Sequence, residues 1–354
     1  MVGSVLMQRM REENDFAGLE PIFFSTSNIG GAAPKESGGS VLKDAKDLRE
    51  LAACDVLVSC QGGEYTAEFY GPLRARGWKG FWIDAASTLR MSDEAVIVLD
   101  PVNSNVIQNG LAHGLGTFAG GNCTVSLMLM AISGLFNARL VEWVSTMTYQ
   151  AASGAGAAKM LELVKQMEFL TEPNRATPSE NALEVDRMMI QAQRASDLPM
   201  QENGAPLAAS LIPWVDREMP GGQTREEWKG MAETNKILGL EPPVPVDGIC
   251  VRVGTMRCHS QGLCIKLTKD VPLRDIEQIL VNSNSWVQLI PNDKESTMRC
   301  LTPTAVSGTM NVPVGRLHKL KLGSEFLGAF TVGDQLLWGA AEPLRRMLKT
   351  LREL

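Results

Sequence analysis

The chain has 354 residues, more than twice the ~150-residue expectation for one domain, so two domains with separate cores are expected. Hydrophobic residues make up 44% and charged residues 21%, a balance that excludes a disordered chain. With 34 Lys and Arg against 40 Asp and Glu, the net charge of -6 offers no electrostatic footprint for nucleic acid or an anionic membrane, so any phosphate must be met by local residues.

Val5, Leu6 and Met10 recur at helical spacing, with Arg9, Arg11 and Glu12 elsewhere on the wheel, so the chain opens on a helix rather than a signal peptide. Pro21 to Ser27 (PIFFSTS) suits a buried strand, and residues 29 to 40, rich in Gly, Ala and Ser, a loop. DVLVSCQGG (Asp55 to Gly63) repeats the strand-then-glycine pattern, EYTAEFYGPLRARG reads as a helix, and FWIDAAS (Phe81 to Ser87) and AVIVLDP (Ala95 to Pro101) are two more strands. Strands alternating with helices at this spacing predict an α/β, doubly wound, Rossmann-like parallel sheet.

GTFAGGNCTVSLMLMAISGLF (Gly116 to Phe136) changes the texture to a short strand, a Gly-Gly-Asn turn and a long apolar helix. The domain boundary is expected here: 1–121 as the nucleotide-binding domain, completed by a C-terminal helix within about 335–354, and 122–334 as an α+β domain with a mixed sheet. Longer, partly alternating runs such as LVEWVSTMTYQAASG, GICVRVGTMRC, CIKLTKD and WVQLIP support that second sheet. Residues 171 to 201 are expected as a helical excursion interrupted by Pro173, Pro178 and Pro199. The final helix carries Leu344, Met347, Leu348 and Leu351 on one stripe. No apolar run reaches the ~18 residues of a membrane span. Seven cysteines without a close-spaced framework point to reduced thiols and a cytoplasmic location.

The sharpest local feature is Gly120, Gly121, Asn122, Cys123, Thr124 at the start of an apolar helix. A thiol in the first helical turn sits at the positive end of the peptide dipoles, which favours its thiolate; against this stands the ordinary burial of free cysteines. A thiolate needs a proton partner, and the chain has three histidines. His113 lies in a Gly-rich turn and His318 in a basic, solvated stretch, so His259 is the best candidate by elimination. Its neighbour Cys258 points to the opposite face of a strand, so the pairing must be long-range, with Cys123. Arg90 and Arg252, in apolar or glycine-containing surroundings, are candidate anion binders. Lys236, three residues after Glu233, reads as a helix-surface ion pair, and for each of the three bases taken alone a salt bridge or surface charge is the simpler reading.

GGNCTVSLMLM, VSTMTYQAASGAGA, AETNKIL, CVRVGTMRCHSQ and FTVGDQLLWGAAEPLRRML, in this order, closely resemble the aspartate-β-semialdehyde dehydrogenases of the Gram-negative bacterial type, over essentially the whole chain. The resemblance implies a homodimeric enzyme that interconverts aspartyl-β-phosphate and NADPH with aspartate-β-semialdehyde, phosphate and NADP, on the branch leading to lysine, threonine, methionine and isoleucine. It implies small-molecule substrates, no nucleic acid, no membrane and no metal. By matching positions, Cys123 is implied as the nucleophile, His259 as the acid/base and Gln150 as the residue that orients the carbonyl. Arg252 and Glu233 would take the substrate's carboxylate and ammonium, and Arg90, Lys236 and Asn122 its phosphate. Ser27, Gln61, Gly62, Ser153, Gly154 and Gln335 would line NADP.

Family members begin with a strand and a glycine-rich turn, and this sequence starts inside that motif at Met1, Val2, Gly3. Either Met1 is an internal methionine of a longer product, or the chain binds cofactor poorly. Two other readings stay open: a noncatalytic, truncated paralogue that only dimerises, and a reductase of the N-acetylglutamyl-phosphate type, against which the Glu233 and Arg252 charges argue.

Overall fold

The structure, a computed structural model, describes residues 1–354, which form two compact units. One comprises Val2–Asn122, Ala232–Glu241 and Leu337–Leu354; the other comprises Met1, Cys123–Met231 and Pro242–Leu336.

The first unit opens with helix α1 (Val2–Glu12), whose Leu6 and Met10 are buried. Then follow β1 (Phe24–Ser25), β2 (Lys43–Asp44), α2 (Leu48–Ala52), β3 (Val56–Ser59), α3 (Gly63–Ala75), β4 (Phe81–Asp84), β5 (Ala95–Val98), α4 (Asp100–Ala112) and β6 (Thr117–Gly120). The expected parallel sheet is present as four strands in the order β3-β4-β6-β5, with β1 and β2 forming a separate parallel pair. All four β5 residues are buried, as a strand covered on both faces requires. Leu6 and Met10 of α1, Ile83, Val96 and Phe118 of the sheet, and Leu344 and Met347 of the C-terminal helix α12 (Glu342–Arg352) share one core. Glu342 accepts from Arg9 and Arg345, and Arg345 also donates to Asp15, so charged pairs tie α1 to α12. The strand expected over Pro21 to Ser27 is only two residues long: β1 pairs with β2 alone, and one neighbour cannot order its full length.

The second unit begins with α5 (Cys123–Asn137), in which every residue from Thr124 to Phe136 is buried. Gly134 permits this, because a Cβ there would stand 2.8 Å from the Ile279 carbonyl oxygen. Then come β7 (Val141–Gln150), α6 (Ala157–Ala176), α7 (Ala182–Gln193), β8 (Leu211–Ile212), α8 (Arg225–Leu238, whose residues from Ala232 onward count with the first unit), β9 (Val246–Val253), β10 (Cys258–Leu267), α9 (Leu273–Val281), β11 (Val287–Leu289), α10 (Lys294–Cys300), α11 (Pro303–Val306), β12 (Val312–Lys319) and β13 (Phe326–Asp334). The strands form one mixed seven-stranded sheet, β11-β12-β13-β10-β7-β9-β8. The excursion expected over 171 to 201 is corrected in one respect: α6 continues through Pro173 to Ala176, since a proline near a helix end removes few intrahelical bonds. Leu163 and Leu170 of α6 and Ala192 of α7 also share a small core with Leu198 and Leu207.

Candidate active site

In the mixed-sheet unit the chemistry gathers at adjacent ends of three neighbouring strands. Gln150 closes β7, Arg252 lies opposite it in the parallel β9 register, and His259, one residue into β10, precedes the Ser260–Tyr149 pair. Cys123 is the first residue of α5. His259 Nε2 stands 3.2 Å from Cys123 Sγ.

His259 is 1% exposed, and burial together with the charge of Arg252 holds its pKa well below 6.5, so the ring is neutral near pH 7. The Ala151 N–H donates to Nδ1 at 2.9 Å. A nitrogen that accepts an N–H carries no proton itself, so the neutral ring bears its proton on Nε2, facing the sulfur. The Ala151 carbonyl in turn accepts from Arg252 at 2.7 Å, so one peptide group links the imidazole to the guanidinium. Burial lowers the pKa of Arg252, while Cys123 and Glu226 favour its charged form. A Cβ at Gly154 would stand 3.0 Å from the imidazole carbon Cε1 and 3.1 Å from the Arg252 guanidinium, which explains glycine there. Ser153 donates to the Arg257 carbonyl at 3.2 Å and accepts from Gln335 at 2.7 Å, both side chains being buried.

The buried Gln150 amide donates to Thr148 at 3.2 Å and to Glu226 at 3.3 Å. Glu226 also accepts from Lys229 at 2.9 Å. Sequence reasoning missed Glu226, because a carboxylate in the first turn of an amphipathic helix looks like any dipole-favoured acid. All seven cysteines are free thiols. Burial pushes Cys60 up to about 11 and Cys250 and Cys258 up to about 12, and raises Cys54 and Cys264 as well. Cys258 points away from His259, into a cluster with Ile290 and Val306. His113 and His318 are exposed and bond to the carbonyls of Asn109 and Arg316.

The parallel-sheet unit carries the second group of candidates. Glu233, 2% exposed, accepts from Arg90 at 3.1 Å and from the Asn122 N–H at 2.6 Å. Arg90 also donates to the carbonyls of Gly120 at 2.6 Å and Ala85 at 3.4 Å. The helix-surface pair of Glu233 with Lys236 is thereby corrected: the acid is buried against Arg90, while Lys236 donates to the Ser92 carbonyl at 2.5 Å. Desolvation lowers the pKa of Lys236. Glu233 therefore holds the Asn122 N–H with one carboxylate oxygen and the Arg90 guanidinium with the other.

Ser27 and Gln61 are exposed beyond the ends of β1 and β3. Gly62 precedes α3 at φ 96°, with no side-chain cap on the helix and nothing within 4 Å of where its Cβ would stand. This helix start leaves its first backbone N–H groups without a side-chain cap.

Residues 1–110 match the family model for the semialdehyde dehydrogenase NAD binding domain, and residues 132–338 match the semialdehyde dehydrogenase dimerisation domain. Aspartate semialdehyde dehydrogenase from Francisella tularensis is 47% identical over 99% of this chain and 97% of its own, with a TM-score of 0.96. Aspartate semialdehyde dehydrogenase II of Vibrio cholerae, complexed with ASA, shares the fold at 21% identity over 99% of this chain and 95% of its own, with a TM-score of 0.79. The Candida albicans enzyme with NADP shares it at 15% identity over 94% and 90%, with a TM-score of 0.64. This chain belongs to the semialdehyde dehydrogenase family.

Proposed function

We propose that this chain is an NADP-dependent aspartate-semialdehyde dehydrogenase that interconverts aspartyl-β-phosphate with aspartate-β-semialdehyde and phosphate through a thioester on Cys123, in the supply of lysine, threonine, methionine and isoleucine. The observation that carries this reading is the 3.2 Å approach of His259 Nε2 to the sulfur at the start of α5. The 47% identity to the Francisella aspartate semialdehyde dehydrogenase supports the substrate.

Cys123 attacks the acyl carbon as the thiolate, the form favoured at the start of α5; the C–S bond forms, the carbon–oxygen bond to phosphate breaks, and phosphate leaves with the electron pair. Arg90, Lys236 and Asn122 are assigned to the phosphate. Arg252 is assigned to the α-carboxylate, for which a planar fork suits a two-oxygen anion. Glu233 is retained as the residue for the ammonium, next to its contacts with Arg90 and Asn122. His259, neutral with its proton on Nε2, donates a hydrogen bond first to sulfur and later to the oxygen that becomes negative when the thioester carbon turns tetrahedral. The Gln150 amide orients the same carbonyl.

A bound dinucleotide would supply the hydride that reduces the thioester carbon. Gly62, Gln61 and Ser27 would hold its phosphate and adenosine part, and Ser153, Gly154 and Gln335 its reactive end; the uncapped start of α3 fits such a group. A homodimer agrees with the dimerisation-domain match and with Met147, Tyr149 and Ile249, which are 37%, 38% and 50% exposed on β7 and β9.

The test omits the cofactor: aspartyl-β-phosphate is added to the purified chain, which is quenched in acid and digested. An aspartyl adduct on the Cys123 peptide, absent from Cys123→Ser, is expected. No adduct on a folded chain, with Cys123 alkylated by iodoacetamide no faster at neutral pH than a free cysteine, establishes the noncatalytic reading instead.

A further inference from the structure

Asp334, the last residue of β13, lies opposite Cys258 at the start of β10, and Gly333 lies opposite His259. Asp334 is 1% exposed and paired with Arg257. Burying an anion at a strand end is costly unless donors meet its oxygens, and here three converge. Oδ2 accepts from Arg257 Nε and from the Gly308 N–H at 2.7 Å, and Oδ1 accepts from the Leu336 N–H at 2.9 Å. The Leu336 contact makes an Asx turn, in which a carboxylate bonds the N–H two residues on. The residue held inside that turn is Gln335.

These contacts close a ring. Asp334 holds the Arg257 side chain, the Arg257 carbonyl accepts from Ser153 Oγ at 3.2 Å, and Ser153 Oγ accepts from Gln335 Nε2 at 2.7 Å, which returns the path to the neighbour of Asp334. The Ser153 N–H is tied to the same segment through the Met256 carbonyl at 3.0 Å. Gln335, 4% exposed, makes no other side-chain hydrogen bond, so its amide oxygen is left to accept from a molecule outside the chain. Glutamine is long and rotamer-rich, and fixing its backbone and its Nε2 together leaves that oxygen little freedom.

We propose that Asp334 is a positioning residue that holds Gln335 and Ser153 toward the reactive end of the dinucleotide. The inference rests on the assignment of those two residues to the cofactor. Asp334 acts only through the ring, since its oxygens face Arg257, Gly308 and Leu336. An asparagine cannot take its place, because its one oxygen cannot serve both sides and its NH₂ would meet a donor. A brace for the fold alone would weaken every ligand alike; a positioning residue weakens only ligands that reach Gln335.

The test titrates the purified chain and Asp334→Asn with NADP and with phospho-ADP-ribose, the same molecule without its nicotinamide. The Kd for NADP should rise about tenfold, and that for phospho-ADP-ribose should stay within about twofold. In a Gln335→Ala background the same substitution should change NADP binding less than about twofold, because the residue it works through is gone. Equal weakening of both ligands, an unchanged Kd for NADP, or an effect that persists in full without Gln335 overturns the proposal. So does a folded parent that binds no NADP. Should Asp334→Asn not fold, Arg257→Met opens the ring from a side chain that is 30% exposed, with the same outcomes read in the same way. The Cys123 adduct formed without cofactor tests the dehydrogenase reading separately: a parent that forms none, yet shows the NADP effect, fails that reading alone.

Discussion

The two sheets of this chain hold their candidate residues in different surroundings. β10, β7 and β9 of the mixed sheet each have partners on both sides, and it is on these strands that His259, Gln150 and Arg252 stand. In the parallel-sheet unit β3 and β1 each end in an open edge. A strand paired on both sides fixes the direction of every side chain it carries, whereas an open edge leaves its amides to solvent and local opening. The residues assigned to bond making thus stand on strands paired on both sides, whereas Ser27 and Gln61, assigned to the cofactor, follow the edge strands β1 and β3.

Four measurements would break or sharpen that comparison. The largest effect is expected from Cys123→Ser: semialdehyde oxidation should fall roughly a thousandfold or more with the fold retained, because a hydroxyl has no comparable anion. Unchanged turnover would remove Cys123 from the chemistry. Next comes Leu344→Ala, fully buried in the parallel-sheet core, expected to cost about 2–5 kcal/mol in urea unfolding. A cost well under 1 kcal/mol would mean that this unit is soft beyond its open edges.

Arg252→Lys should raise KM for the semialdehyde about 10- to 100-fold with a smaller change in kcat, because a point charge cannot reproduce a two-pronged contact. An unchanged KM places the carboxylate elsewhere. The smallest effect concerns pH. The folded pKa of His259 is depressed, so its contribution is complete above the unfolded value near 6.5 and is lost as pH falls below it, the unfolded chain binding the extra proton. Between about pH 6.5 and 5 the parent should lose up to about 1.4 kcal/mol per pH unit more than His259→Gln. Identical slopes would contradict a neutral, buried ring. ¹⁵N-histidine spectra add the tautomer: a proton on Nδ1 would break the Ala151 contact.

Much of the site was legible because it depends on local signals. A glycine turn followed by an apolar run announced Cys123 at a helix start, and His259 followed by elimination among three histidines. Glu226 was not legible, nor was the pairing of Glu233 with Arg90 across 143 positions, because nothing local tells a buried acid from a solvated one. The two-residue β1 escaped as well: PIFFSTS has the composition of a full strand, but strand length depends on partners.

By itself, the sequence determined the period of each element, the alternation that makes the first sheet parallel, and the residue types that can do acyl chemistry; these reside in neighbours a few positions apart. Only the tertiary structure decided which imidazole nitrogen faces the sulfur, which carboxylate holds which base, and that β1 and β3 stand at sheet edges. Those outcomes depend on contacts between residues tens to hundreds of positions apart, where burial changes a charge's cost and backbone pairing selects which edges stay open.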